Sequence, residues 1–273
     1  MAVRSSLGAE PANVDLPGGF TAGEWAVLSG ALRLKPAGAR DPLRSLAAQE
    51  LLNGGVCLRL LDELTPILGS PSRAITASLL SKRIAFLATG ACLYALSACD
   101  KGLRLTPDNC IIEYGHDEGL WTSSLPLLDL EPLAYVHGAR EAWRETLVSN
   151  LFAGLLKPLW ELFVQVSGIS RRILWENTAV RVYSLYEKRM DSLQDPCARR
   201  RVEADFDWLL NQAAPALFGL DYNPLQHFRR APMVLENGLG CRRLRRTCCF
   251  YYQASNPVEY CSACPLLRKR KKP

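Results

Sequence analysis

The chain has only three histidines, His116, His137 and His227, and none stands at metal-ligand spacing from another donor. This leaves little room for a histidine-based metal or acid–base centre. No G-x-G-x-x-G fingerprint and no phosphate-binding loop is present, and the glycine pairs Gly18-Gly19 and Gly54-Gly55 lack the spacing. A nicotinamide- or flavin-binding reductase and a P-loop enzyme are therefore disfavoured. Long apolar runs are scarce as well. The longest, Ile84 to Cys99, has 16 residues and includes Thr89, Gly90, Tyr94 and Ser97. A membrane-crossing helix needs about 20, so this run is expected to be a buried core helix, with at most peripheral membrane association. Met1 to Phe20 holds one basic residue and no apolar stretch of signal-peptide type, so a cytoplasmic protein is expected. No nucleic-acid recognition motif is evident, and no nucleic-acid partner is expected.

Cysteine is abundant by contrast. Of ten, five are scattered: Cys57, Cys92, Cys99, Cys110 and Cys197. The first three lie in apolar helical context and read as small buried hydrophobes. The other five fall between Cys241 and Cys264. Charge follows the same distribution. Cys241 to Pro273 holds nine Lys or Arg against Glu259, a balance of +8, while the remainder carries −2. The positive balance thus belongs to the terminal segment.

The expected fold is mostly α (α+β). Residues 1–45 read as an irregular lead-in with a short helix around Ala22 to Leu32. Residues 46–240 read as a helical domain, and 241–273 as a short C-terminal segment with a basic tail, Arg268 to Lys272. A helix is expected over Leu46 to Leu64, weakened in its middle by Gly54 and Gly55. Another is expected from Pro71-Ser72 to about Cys99. Leu103–Tyr114 and Leu120–Leu130 read as two strands of an antiparallel hairpin, joined by residues 115–119. Leu147, Leu151, Leu155 and Leu159 share a helix face that Pro158 is expected to kink or split. Ser170 begins a further helix, and Ala198–Asn211 forms another.

The chemistry lies in Cys248-Cys249, then 11 residues, then Cys261-Ser262-Ala263-Cys264-Pro265. Four thiolates suit either a two-iron cluster or a closed zinc site. Zinc ribbons use two C-x2-C knuckles. Neighbouring residues here send their side chains apart, which is awkward for one zinc, and a larger two-iron cluster relaxes that constraint. Phe250, Tyr251, Tyr252 and Tyr260 can shield such a site from water. Arg242, Arg243, Arg245 and Arg246 stabilise thiolates and can attract an anionic substrate or an acidic electron carrier.

These residues resemble the FhuF-type siderophore ferric reductase family. The resemblance is carried by Arg246-Thr247-Cys248-Cys249-Phe250-Tyr251-Tyr252 through Tyr260-Cys261-Ser262-Ala263-Cys264-Pro265. It is supported by Ser78-Leu79-Leu80-Ser81-Lys82-Arg83 and by Ser170-Arg171-Arg172-Ile173-Leu174-Trp175-Glu176-Asn177. The family spacer has ten residues where this chain has 11. The main domain is also similar to the C-terminal part of siderophore synthetases of the aerobactin type. The resemblance implies that Cys248, Cys249, Cys261 and Cys264 ligate a 2Fe–2S cluster. It implies a cytoplasmic reductase of ferric iron held in an imported siderophore, of hydroxamate type, with a ferredoxin or similar external donor. The competing readings are an iron-carrying protein with structural zinc and an iron–sulfur electron-transfer or sensor protein.

Overall fold

A computed structural model of the chain describes residues 19–234 and 241–269. Residues 1–18 of the expected lead-in and the end of the basic tail lie outside the described residues. The chain enters through α1 (Ala22–Ala26), where Thr21 and Glu24 form a reciprocal capping box, and continues as a wide π-turn over Val27–Ala31. Glu24 also binds Lys101 at 2.6 Å, which fastens this entry to the loop after the central helix.

Strand β1 (Leu34–Pro36) and β2 (Ser45–Ala47) follow, then the short helix α2 (Ala48–Leu51) and α3 (Gly54–Ile67). The expected single helix over Leu46–Leu64 is thus two. The Asn53 side chain accepts from the N–H groups of Gly55 and Val56, so the glycines open a new helix instead of weakening an old one. Helix α4 (Arg73–Ser97) is capped by Ser72 and is buried on nearly every side. It has the length and hydropathy of a membrane span, as does the continuous helix Arg140–Ser167. In α4, 83% of the most apolar window is covered by the rest of the protein, as befits a core helix.

The strand region corrects the expected hairpin. Strand β3 (Ile111–Glu113) pairs antiparallel with β2, not with the segment after it. Between the two expected segments, β4 (His116–Asp117) and β5 (Leu120–Trp121) pair through Glu118 and Gly119, both at positive φ, and Cys110 and Leu127 form an isolated antiparallel bridge. Positive φ at both central residues makes a tight turn that suits a two-residue hairpin loop. Strand β6 (Leu125–Leu127) then runs parallel to β1.

Helix α5 (Arg140–Ser149) runs through a π stretch, Asn150–Leu156, into α6 (Lys157–Ser167). The Lys157 N–H reaches back five residues to the Phe152 carbonyl. That wider turn takes up the missing donor and the ring of Pro158, so the helix is neither split nor stopped. Helix α7 (Arg171–Ser184) packs along α4 as the second central helix and ends in a π stretch, Leu185–Arg189. Helix α8 (Pro196–Asn211) is tied to α4 and α5 by the buried Asp205. Asp205 accepts from Arg140 at 2.8 and 2.9 Å, from Arg144 at 2.9 Å and from the Ser97 hydroxyl at 2.9 Å. The short α9 (Pro224–His227), β7 (Met233–Val234) and β8 (Cys241–Arg242) lead to the cysteine segment, which lies across α4 and α7.

Candidate metal centre

The two central helices carry polar side chains where core helices usually carry none. Ser78 and Ser81 on α4, and Glu176 and Asn177 on α7, are all buried. A buried polar group needs a partner: Ser78 and Glu176 find theirs in the cysteine segment, and Ser81 and Asn177 brace Ser78. The Ser78 hydroxyl donates to the Cys249 carbonyl at 2.9 Å. Asn177 donates to the Ser78 carbonyl at 3.0 Å and to the Ser81 hydroxyl at 2.9 Å, which fixes both serines. Glu176 accepts from the N–H of Arg246 at 2.6 Å, from the N–H of Thr247 at 2.7 Å and from the Thr247 hydroxyl. Its carboxylate thereby holds the backbone immediately before Cys248.

The segment then folds on itself. The Arg245 N–H donates to the Ala263 carbonyl at 2.9 Å, which joins the two halves of the motif. The Cys264 N–H closes the knuckle onto the Cys261 carbonyl at 2.9 Å. Phe250 adopts a left-handed conformation at φ 61°, and its N–H points at the Cys248 sulfur, 3.4 Å away. A non-glycine residue in that region costs roughly 1 kcal/mol, and here it turns the chain sharply after the cysteine pair.

The four sulfurs meet as two pairs. Cys249 and Cys261 lie 3.7 Å apart, and Cys248 hydrogen-bonds with Cys264. Each half of the motif gives one sulfur to each pair. Cys249 and Cys264 are buried, while Cys248 and Cys261 are half-buried. Among the described residues there is no group of three or more His, Cys, Asp or Glu side chains that could hold a metal ion. A structural zinc wants four ligands around one point, whereas two thiolates on each of two irons is the donor set of a 2Fe–2S cluster.

Electrostatics favour a thiolate at Cys249. The hydrogen bond from Cys261 lowers the Cys249 thiol to about 4, with Lys82 and Arg245 adding to it against the cost of burial. Cys261 moves the opposite way, through the same hydrogen bond and through burial. The two share one proton, with the negative charge on Cys249. Cys248 is raised by burial. The scattered cysteines differ sharply: burial alone pushes Cys57 and Cys92 up to about 12, which makes them inert packing groups.

Lys82, Arg245 and Arg181 all carry charge that acts on the Cys249 and Cys261 sulfurs. The Lys82 ammonium is 3.5 Å from the Cys249 sulfur and lies over the Tyr251 ring at 5.1 Å. Arg245 is buried beside Glu176 at 3.8 Å, yet its Nε and one terminal nitrogen have no hydrogen-bond partner. Its charge acts on both Cys249 and Cys261. Buried guanidinium N–H groups without partners are costly. A cluster whose four thiolates and sulfides carry net negative charge would satisfy them, so the residues fit that cofactor.

The structure separates the four arginines of the predicted run. Arg245 faces the sulfurs. Arg243 is committed to Glu187 at 2.8 Å and to the Tyr183 ring at 5.6 Å. Arg246 uses its backbone at Glu176 and exposes its side chain, and Arg242 lies on β8. Of the aromatics, Phe250 and Tyr251 pack on the core, and Tyr252 stacks on Tyr260 with ring centres 5.3 Å apart. Lys82, Ser78, Ser81, Glu176 and Asn177 had no role assigned from sequence. The available signal was a set of polar residues on faces of otherwise apolar helices.

Comparison with known proteins agrees with this geometry. Residues 78–235, more than half of the chain, match the family described as ferric iron reductase FhuF-like transporter. Residues 245–266 match the FhuF 2Fe–2S C-terminal domain. No curated protein matches the chain. The first match spans the helices that dock the cysteines and the second spans the cysteines themselves: the chain belongs to the FhuF family of ferric iron reductases, and its cofactor is a 2Fe–2S cluster.

Proposed function

We propose that the protein works in the cytoplasm as a siderophore-iron reductase, passing one electron to Fe(III) held by an imported chelate of hydroxamate type. Cys248, Cys249, Cys261 and Cys264 hold the cluster, which supplies a single low-potential electron when bound. Hydroxamate oxygens are hard donors that bind Fe(III) far more tightly than Fe(II), so the added electron weakens the complex and frees the metal. No proton transfer is needed. The protein's task is to keep the donor dry, charged and close to the chelate. Ser78, Asn177 and Glu176 fix the cysteine segment to the helical domain, and Lys82 and Arg245 offset its negative charge.

The electron comes from outside the chain, from a ferredoxin or a similar carrier, since no nucleotide-cofactor fingerprint exists in the sequence. The observation that carries the reading is the two-pair arrangement of cysteines beside Lys82 and the buried Arg245. The test is to mix the reduced protein with a ferric hydroxamate and trap Fe(II) with a ferrous chelator. Stoichiometric Fe(II) release is expected. An intact cluster that releases no Fe(II) from any chelate would favour an electron-transfer or sensor protein instead.

A further inference from the structure

Beside the cysteine site, α4 and the end of α7 gather a patch of cations, of which Lys82 and Arg181 also act on the cysteine sulfurs. Lys82 and Phe86 lie about one turn apart on α4, roughly 6 Å along the axis. Three guanidinium groups surround the half-buried Phe86 ring: Arg83 at 5.4 Å, Arg181 at 5.8 Å and Arg189 at 5.0 Å from its centre. Arg83 is fixed by Ser123, whose hydroxyl accepts from it at 2.8 Å. Among the described residues, none of Lys82, Arg83, Arg181 and Arg189 has a carboxylate within ion-pair distance. The acidic group that acts on Arg83 is Glu113, which is engaged with Lys35 and with the N–H groups of Asp41 and Ser124. Arg44, Arg73, Lys101, Arg140 and Arg243, by contrast, all have carboxylate partners.

Like charges gathered in a half-buried place repel one another, and an anion relieves that repulsion. The ionisation of Arg83 reflects it: burial, then Arg33 and Arg181, lower it to about 10. The patch lies near the cysteines: the Lys82 ammonium is 3.5 Å from the Cys249 sulfur, and the charge of Arg181 acts on Cys249 and Cys261. It also differs from the cleft lined by Glu50, Arg59, Glu63 and Tyr114, where two carboxylates would repel an anion and no cysteine is present.

We propose that the ferric chelate sits on Phe86 between Arg83, Arg181 and Arg189, and that this site selects chelates that stay net negative after binding iron. The inference rests on the reductase reading and sharpens it. Three hydroxamates, each singly charged, cancel the charge of Fe(III) and leave a neutral complex. A chelate that adds carboxylates, as a citrate–hydroxamate does, or that uses catecholates, leaves negative charge for the arginines. Phe86 supplies an apolar floor for the organic shell of such a complex.

Gallium(III) complexes test this without electron transfer, because Ga(III) mimics Fe(III) and is not reduced. Binding to the cluster-loaded protein is measured by tryptophan fluorescence or calorimetry for three gallium complexes: a citrate–hydroxamate, a tris-catecholate and a neutral trihydroxamate. The two anionic complexes are expected to bind at least about tenfold more tightly than the neutral one, with the preference falling as salt rises. Arg181→Gln and Arg189→Gln are each expected to weaken anionic binding by roughly five- to tenfold and to move neutral binding by less than about twofold. Arg181→Lys, which keeps the charge, restores most of the loss. Unchanged unfolding temperature and cluster spectrum exclude a folding defect, and Arg189, being exposed, is the safer variant. Equal affinity for neutral and anionic complexes overturns the proposal. So do variants that bind gallium chelates normally but accept electrons from an acidic carrier more slowly, since the patch would then belong to the donor. Anionic gallium complexes that bind as expected, with no Fe(II) released from their ferric forms, would uphold the site and reject the reductase reading.

Discussion

Replacing Glu176 with glutamine tests how the cysteine segment is held. The side chain is about 1% exposed and receives three hydrogen bonds from Arg246 and Thr247, with Arg245 at 3.8 Å. Glutamine keeps the shape, but one oxygen becomes an NH2 group that donates where a donor already points. Hydrogen bonds to a charged group are worth about 1.5–3 kcal/mol each. Leaving one member of a buried ion pair unpaired costs about 3–5 kcal/mol. These contributions overlap and do not add, so about 3–5 kcal/mol is the expected total. The loss falls on the docking of residues 245–264, because the α4–α7 contact is mostly apolar and survives. At about 1.4 kcal/mol per tenfold, the segment should open roughly 100- to 4,000-fold more often. Hydrogen exchange read at the Arg246 and Thr247 amides measures that opening directly, and iron content per chain measures its consequence. Wild-type protection at both amides, with full iron occupancy in Glu176→Gln, would refute the claim that this carboxylate docks the segment.

Other outcomes follow from the same geometry. Cys248→Ser and Cys264→Ser should perturb the spectrum of the centre in the same way, and Cys249→Ser and Cys261→Ser in a second way, because the sulfurs are paired in that order; visible and paramagnetic resonance spectra of the four variants check it. Lys82→Gln removes a cation 3.5 Å from the Cys249 sulfur, and the reduction potential should fall by roughly 50–100 mV in a redox titration. Asp100 is held below the ordinary aspartate range: burial opposes this, but hydrogen bonds from Arg140 and Tyr135 outweigh it. A carboxylate depressed in the folded state stabilises above its unfolded value and stops doing so as pH falls through its folded value. Urea midpoints of the wild type should therefore drop on acidification below about pH 4, and Asp100→Asn should flatten that limb.

The motif at the C-terminus was legible because four cysteines at tight spacing make a donor set that suits a metal centre. The helix starts at Thr21, Ser72 and Asp195 follow from capping chemistry that acts within four residues. What escaped depends on distant partners. Ile111–Glu113 and Leu125–Leu127 read as ladder partners in a hairpin, yet beyond the Cys110–Leu127 bridge their ladder partners are Ser45–Ala47 and Leu34–Pro36. A strand ending in Pro36 carries little β signal of its own. The π stretch before Pro158 has no local code, since it arises from how the helix accommodates the ring. Glu176 and Lys82 read as ordinary charged positions until the fold buries one and sets the other against a sulfur. The arginine run was visible as charge, but only the packing shows that Arg243 is neutralised by Glu187 and that Arg245 is not satisfied by Glu176 alone.

Metal and sulfide analysis of the anaerobically purified protein, joined to its visible spectrum before and after one-electron reduction, bears most directly on the four-thiolate centre. The account predicts about two irons and two acid-labile sulfides per chain, a coloured protein that bleaches on reduction, and loss of both iron and colour in Cys264→Ser. A colourless protein with one zinc per chain and no spectral response to reductant would contradict it.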